Sequence, residues 1–273
     1  MTLQLLVQQA LMEDIGQGDI TTNAIVSTTH SGTATIYAKQ DLVVCGHDVA
    51  QEVFKQMGAQ YVAHIEAGKK AKVGEVVATV SGPYRSLLTA ERLALNFLMR
   101  LSGIATHTNN VIQGITGVRI VDTRKTTPLL RALERRAVVI GGAANHRFAL
   151  YDGILIKDNH IAIAGSISKA IEMARSKSHH LLKIEIEVET ISQLTEALAA
   201  KADVIMLDNM TDEQLKTAVE INNGRAILEA SGNMNRQRIL RIQSFGIHVI
   251  SMGGLIHQAT WADLSMKITR QTQ

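Results

Sequence analysis

The chain has 273 residues, 46% hydrophobic, 19% charged and 3% aromatic, with a formal charge of +3. That length and composition bury a sizeable core and exclude a disordered chain, and two prolines among abundant Ala, Ile, Leu and Val favour a helix-rich α/β protein over an all-β one. A single cysteine, Cys45, excludes an internal disulfide framework, a CxxC redox pair and a thiolate zinc site, and it is compatible with a reducing cytoplasm.

Residues 3–13 place Leu3, Leu6, Val7, Ala10 and Leu11 on one helical face, and Gly16, Gly18 and Asp19 end the pattern. This apolar start runs into Glu13 and Asp14 without a cationic head or a small-residue cleavage site, so it reads as a helix rather than a signal peptide. No stretch approaches transmembrane length, and no membrane association is expected. A strand is predicted over 33–39, a helix over 47–57 and strands over 61–65 and 75–80, closing at Ser81-Gly82-Pro83. Residues 86–113 are apolar on almost every side, which predicts a long buried or interface helix, with an interruption expected at Gly103. Arg92 stands out on that helix; its plain reading is an arginine snorkelling to the surface along its aliphatic stem.

After Gly117 short apolar runs alternate with helical segments. Strands are predicted over 118–121, 153–156, 183–188, 203–207, 226–228 and 248–250, each closing on polar or small residues. From Glu187 the steps to Asp208, Glu229 and Ser251 are 21, 21 and 22 residues, the length of one strand, one helix and two short loops. An array with reactive residues at every strand's C-terminal end predicts a TIM-like barrel; an open doubly wound sheet, the alternative, gathers ligand groups only near its switch point. Six strands, with a seventh expected over 264–268, are too few for a regular eight-fold barrel. The expected architecture is therefore an incomplete TIM-like α/β barrel over 108–273 with a smaller N-terminal mixed α/β domain and linking helix over 1–107. The last residues are expected to pack back on the N-terminal domain.

The charge pattern concentrates over 122–160, where Arg124, Lys125, Arg131, Arg135, Arg136, Arg147 and Lys157 oppose Asp122, Glu134, Asp152 and Asp158. A local excess of that size beside Gly141, Gly142 and His146-Arg147 points to a small, multiply charged anion, whereas nucleic acid asks for a wider basic face. Thr127 and Pro128 read as an N-cap and first-turn proline of a helix that Gly141-Gly142 ends. Arg124 and Lys125, between a strand end and that helix, are placed to bind an anion. Arg147 offers a planar fork for a carboxylate with His146 as a donor beside it. Lys157, at a barrel strand's end, fits either a Schiff-base lysine or an anion-binding one. In 183–189 the acids alternate with aliphatics, so Glu185, Glu187 and Glu189 share one face, and Glu187 with Asp208 would suit magnesium (Mg2+) better than zinc. Ser231-Gly232-Asn233 and Met252-Gly253-Gly254, with His257 nearby, read as phosphate-cradling loops.

The blocks Asp122-Thr-Arg-Lys-Thr-Thr-Pro, Gly141-Gly142, Asn145-His146-Arg147 and Ile156-Lys157-Asp158-Asn159-His160 resemble the signature of the quinolinate phosphoribosyltransferase family, in the family's order. The likeness extends from about Glu13, through Gly18-Asp19-Ile20-Thr21-Thr22 and the helix of Arg92, to His257. It implies transfer of phosphoribosyl from phosphoribosyl pyrophosphate to quinolinate with decarboxylation, in NAD biosynthesis. It also implies a cytoplasmic homodimer or higher homo-oligomer with shared active sites. The acceptor would be bound by Arg92 from the neighbouring subunit with Thr123, Arg124, Lys125, His146, Arg147 and Lys157. Glu187 and Asp208 would serve the ribose and the metal, and the two glycine loops with His257 the phosphate. Lys125, Lys157, Glu187 and Asp208 are the expected catalytic groups. Leu129 and Ala143 stand where the family frequently has glycine, Asn233 where a second glycine is usual, and Met252 in a varied last loop. Rival readings are a paralogous family associated with molybdate transport genes, a Schiff-base aldolase using Lys157, and a nucleic-acid or anion-binding scaffold.

Overall fold

The apolar spacing at the start of the chain forms α1 (Leu3–Ile15), opened by Thr2, whose hydroxyl accepts from the Leu5 N–H, and buried at Val7 and Leu11. In the computed structural model, which describes residues 1–269, α1 is followed by α2 (Ile20–Ile25), β1 (Ser31–Ala38), β2 (Leu42–Val43), α3 (His47–Gln56), β3 (Gln60–Ala63), β4 (Lys70–Ala71), β5 (Val76–Pro83) and α4 (Tyr84–Ile112). Next come β6 (Arg119–Val121), α5 (Arg131–Ile140), β7 (Ile154–Ile156), α6 (Asp158–Ala164), α7 (Ile167–Lys177), β8 (Ile184–Val188) and α8 (Ile191–Ala199). The order closes with β9 (Val204–Asp208), α9 (Asp212–Asn222), β10 (Ile227–Ser231), α10 (Arg236–Ile242), β11 (Val249–Ser251), α11 (Gly254–His257) and β12 (Leu264–Thr269). Among the described residues no helix is long and apolar enough to cross a membrane.

Residues 1–109, 132–142 and 259–269 make one unit. Its sheet runs β12-β1-β5-β3, antiparallel throughout, beside the small β2-β4 pair. Ile36, Phe54, Leu87, Leu95, Leu98 and Leu101 are fully buried in it. Two expectations change here. The strand predicted over 264–268 is no barrel strand: it pairs with β1, Ala34 opposite Ile268, and completes the open edge of that sheet. The interruption expected at Gly103 is absent. There α4 runs on, and the missing side chain admits the chain crossing it, since a Cβ would lie 2.1 Å from the Thr260 carbonyl oxygen.

Residues 110–131 and 143–258 make the second unit. Its sheet has six parallel strands in the order β6-β11-β10-β9-β8-β7, with Ile184, Ile186, Ile205, Leu228 and Ile250 buried along them. The end strands β6 and β7 do not pair with each other among the described residues, so the barrel is incomplete. Helix caps keep the βα loops short. Thr190 with Gln193 and Thr211 with Gln214 form capping boxes, and Asn235 caps α10, within a few residues of the preceding strand ends. Short capped connections thus follow β8, β9 and β10, and the tips of the parallel strands open on the same end of the sheet.

The turn before α5 differs from expectation. Thr127 and Pro128 belong to a turn closed by the Leu130 N–H to the Thr127 carbonyl at 3.1 Å, and the helix begins only at Arg131. Proline favours the second position of such a turn as much as a helix's first, so the same letters supported both. Leu129 pays for the turn with a left-handed φ of 67°, while 74% exposed.

Candidate active site

The C-terminal tips of the six parallel strands line a cup of about 670 Å³. After β6 it receives Thr123, Arg124 and Lys125; after β7, Lys157; from β8, Glu187; from β9, Asp208; from the end of β10, Ser231, followed by Gly232 and Asn233; after β11, Met252, Gly253, Gly254 and His257. His146 and Arg147 line it as well. Of the residues expected to bind substrate or metal, Arg92 alone does not line the cup; it lies exposed on α4 in the first unit.

The loop carrying His146 and Arg147 is tied to the barrel by backbone. A parallel bridge joins Ala144 to Val121, the last residue of β6, and buried Asp122 accepts from the His146 N–H at 2.9 Å. Arg147 Nη1 donates to the Gly153 carbonyl at 2.8 Å, which holds the guanidinium over the cup. Burial and the neighbouring charge of Arg124 both push the Arg147 pKa down, so an anion between the two relieves a repulsion already present. Lys157 Nζ lies 2.6 Å from Glu187 Oε2. That ion pair engages the amine with a carboxylate, an arrangement that suits a charge-pairing, anion-binding lysine better than a nucleophilic, Schiff-base one.

The imidazole of His146 is not the free donor expected beside Arg147. Its Nε2 faces Glu185 Oε2 at 3.3 Å and Glu229 Oε1 at 3.4 Å, and its Nδ1 accepts from the Arg147 N–H at 2.8 Å. Burial alone would lower the imidazole, but the hydrogen bonds and charges of Glu185 and Glu229 outweigh it and carry it up to about 10. Burial raises Glu185 as well. With Nδ1 accepting from the Arg147 N–H, the neutral ring carries its proton on Nε2, toward the two carboxylates, and the further proton attracted here belongs to the trio as a whole rather than to one atom.

Glu185 and Glu229 were missed as site residues in the sequence. Each stands two positions before a residue that was marked, Glu187 and Ser231, and strand alternation alone turns both toward the same face. Asn209, Met206, Met234, Ser251 and Gln258 also line the cup and had not been named as site residues. Gly253 approaches the chain closely, because a Cβ there would lie 2.9 Å from Lys125 Cδ and 3.1 Å from Thr123 Oγ1. Asn233, where a second glycine was noted as usual, has a left-handed φ of 48°, which asparagine tolerates. Chemically the cup offers fixed cations on the β6–β7 side, two acids on β8 and β9, and backbone-rich loops on β10 and β11. That arrangement accepts a planar anion beside a phosphorylated one.

Comparison with known proteins gives the same direction. Residues 19–102 match the N-terminal domain and residues 104–267 the C-terminal domain of quinolinate phosphoribosyl transferase. A Bacillus subtilis protein named as a probable nicotinate-nucleotide pyrophosphorylase (carboxylating) is 41% identical over 98% of this chain and 93% of its own length. A tobacco protein named quinolinate phosphoribosyltransferase (decarboxylating) 1b is 36% identical over 97% of this chain and 82% of its own. Among solved structures, NadC from Streptococcus pyogenes superposes with a TM-score of 0.93 at 40% identity, covering 97% of this chain and 95% of that one.

Proposed function

The chain belongs to the quinolinate phosphoribosyltransferase family, and on that premise we propose how its cup divides the work of the family's reaction. The enzyme transfers phosphoribosyl from phosphoribosyl pyrophosphate to quinolinate with decarboxylation, giving nicotinate mononucleotide, pyrophosphate and carbon dioxide in NAD biosynthesis. A bond forms from the pyridine nitrogen to the anomeric carbon as pyrophosphate leaves. The nitrogen, now cationic, then stabilises the electron pair that stays on the adjacent ring carbon when its carboxylate departs as carbon dioxide, and a proton added to that carbon completes the ring.

Arg124, Arg147, Lys125 and Lys157 hold the two acceptor carboxylates so that the ring nitrogen faces the sugar, and Thr123 supports Lys125 by accepting its N–H at 3.1 Å. Lys125 orients the carboxylate that departs. His146 serves this half through the Arg147 backbone it holds. Glu187 and Asp208 steady the ribose hydroxyls and the positive charge that develops at the anomeric carbon. The loops Ser231–Asn233 and Met252–Gly254, with His257, take phosphate. The donor set of Glu187 and Asp208 fits magnesium: each carboxylate keeps a second oxygen beyond its bond to Lys157 or Asn209, and hard oxygen donors are what that ion takes. When bound, Mg2+ supplies charge neutralisation for the leaving pyrophosphate.

The observation that carries this reading is the meeting of Arg124, Arg147, Lys157, Glu187 and Asp208 in one cup. A homodimer completes it, with Arg92 of each copy reaching the cup of the other. Exposed apolar side chains support such an assembly: Ile20 and Ile25 in the first unit, Tyr151 and Ile163 in the second. A cytoplasmic location accords with the one buried, unbridged cysteine.

The test is incubation with phosphoribosyl pyrophosphate, magnesium and quinolinate labelled in the 2-carboxylate. Label is expected to leave in step with pyrophosphate, and nicotinate is expected to be inert. Turnover of nicotinate without label loss from quinolinate would overturn the reading. Lys125→Ala and Arg147→Ala should each lower kcat/KM about 100-fold or more while staying folded by circular dichroism.

A further inference from the structure

Two adjacent loops, 208–212 after β9 and 231–235 after β10, are joined by side chains of which Asn209 and Arg238 have no task in the reaction as described. Asn209 sits at the junction. Its Nδ2 donates to Asp208 Oδ2 at 2.6 Å, its Oδ1 accepts from Asn233 Nδ2 at 3.3 Å, and its backbone N–H donates to the Ser231 carbonyl at 3.1 Å. The Gly232 backbone passes so near that a Cβ there would lie 2.2 Å from Asn209 Oδ1 and 2.6 Å from its Cγ. Asn209, at a φ of 54°, takes the left-handed conformation that suits asparagine. Behind it Arg238 of α10 donates to the Gly232 carbonyl at 3.2 Å, to Asp212 Oδ1 at 3.0 Å and to the Met210 carbonyl. The two loops thus form one braced unit, with Asn209 lining the cup and Arg238 outside its lining.

We propose that Asn209 is a positioning residue for the sugar-phosphate half of the cup, fixing the Asp208 carboxylate and the Ser231–Asn233 loop relative to each other so that both meet one donor molecule. The inference rests on the ribose and phosphate roles proposed above for those groups. The orientation of the amide is set by chemistry: a carboxylate only accepts, so the NH2 must face Asp208, which leaves the carbonyl for the Asn233 amide. Turning the amide over breaks both bonds. A side-chain carboxylate otherwise rotates about its terminal torsion, and a charge-assisted hydrogen bond of this length removes that freedom before any ligand arrives. Gly232 fits the same device, since any side chain there would displace the brace. The departure at Asn233 from the usual glycine is used here too, because it supplies the donor that Asn209 Oδ1 accepts.

Asn209 makes no hydrogen bond to the acceptor-side cations, so its loss should fall on one substrate. In the full chain, Asn209→Ala is expected to raise KM for phosphoribosyl pyrophosphate about tenfold and lower kcat about tenfold, with KM for quinolinate within about twofold and an unchanged Tm. Asn209→Asp, which sets an acceptor against the Asp208 carboxylate, should lose more than Asn209→Ala. In an Asp208→Asn background Asn209→Ala should cost much less than in the parent, because a residue that acts through another has little to do once that other is gone. Unchanged KM for phosphoribosyl pyrophosphate, strictly additive losses, or an equal rise in both KM values with a lower Tm would each overturn the proposal. Calorimetric titration with phosphoribosyl pyrophosphate separates it from the underlying reading. A parent that binds the donor but does not turn it over removes the reaction, and weaker binding by Asn209→Ala still decides the positioning role. A parent that binds none removes both.

Discussion

Glu185 and Glu229 set two buried carboxylates beneath a cup whose acceptor side is cationic, and the imidazole of His146 between them is what makes their burial tolerable. The trio makes folding a proton-binding event. His146 is carried above its ordinary value to about 10 against the opposing effect of burial, so at neutral pH the folded trio holds a proton that the unfolded chain largely releases, and the upward push of burial on Glu185 acts in the same direction. For a group raised in this way the stabilisation is complete below the unfolded histidine value, about 6.5, and is lost as pH climbs toward 10. Tm is therefore expected to fall from pH 6.5 to 10, and to fall less steeply in His146→Gln, whose amide keeps a donor but no longer titrates. Equal slopes in parent and variant would sink this account. The residues of the cup were largely legible because charge beside strand ends is a local signal. The trio was not, because no spacing says which way an imidazole turns or which of its nitrogens is already taken.

At the scale of elements, the repeat from Glu187 to Ser251 was legible because each step holds one strand and one capped helix, and the caps Thr190, Thr211 and Asn235 pin the loops that carry the site. Short pieces were not: β2, β4, α2 and α6 are too brief to show a period. The strand over 264–268 was found but given to the wrong sheet, since its partner β1 lies more than 200 residues away in sequence. Gly103 shows why a glycine inside a helix need not break it. Elsewhere in a helix interior Gly→Ala gains about 1 kcal/mol, but here the new Cβ would meet the Thr260 carbonyl oxygen at 2.1 Å and the Ala262 nitrogen at 3.0 Å. Both atoms are backbone, and the Ala262 N–H is already bonded to the Met99 carbonyl of the same helix at 2.9 Å. Neither gives way cheaply. Gly103→Ala is thus expected to destabilise by about 2 kcal/mol or more, read as a lower urea midpoint, and a neutral or stabilising outcome would show that the 259–262 segment shifts freely.

At the scale of the whole molecule, Arg92 is the test of how copies assemble. It is exposed on α4 between the half-buried Glu91 and the buried Leu93, Ala94 and Leu95, and it does not line the cup. The sequence resemblance, and not the chain's own contacts, assigns it to the acceptor of a neighbouring copy; a single chain carries no signal for where its twin binds. If two copies share sites in this way, Arg92→Ala spoils the cup of the partner while Lys157→Ala spoils the cup of its own copy. Each variant alone is then inactive at both sites of its dimer. In a mixed dimer one site unites the intact Lys157 cup with an intact Arg92, and the other bears both lesions. Equal amounts, unfolded and refolded together, give mixed dimers as about half of the population, so about one quarter of the parental sites should return. Recovery to that level with each variant silent when refolded alone requires sharing between copies, whereas no recovery, with a mixed dimer verified by mass, would return Arg92 to its own chain.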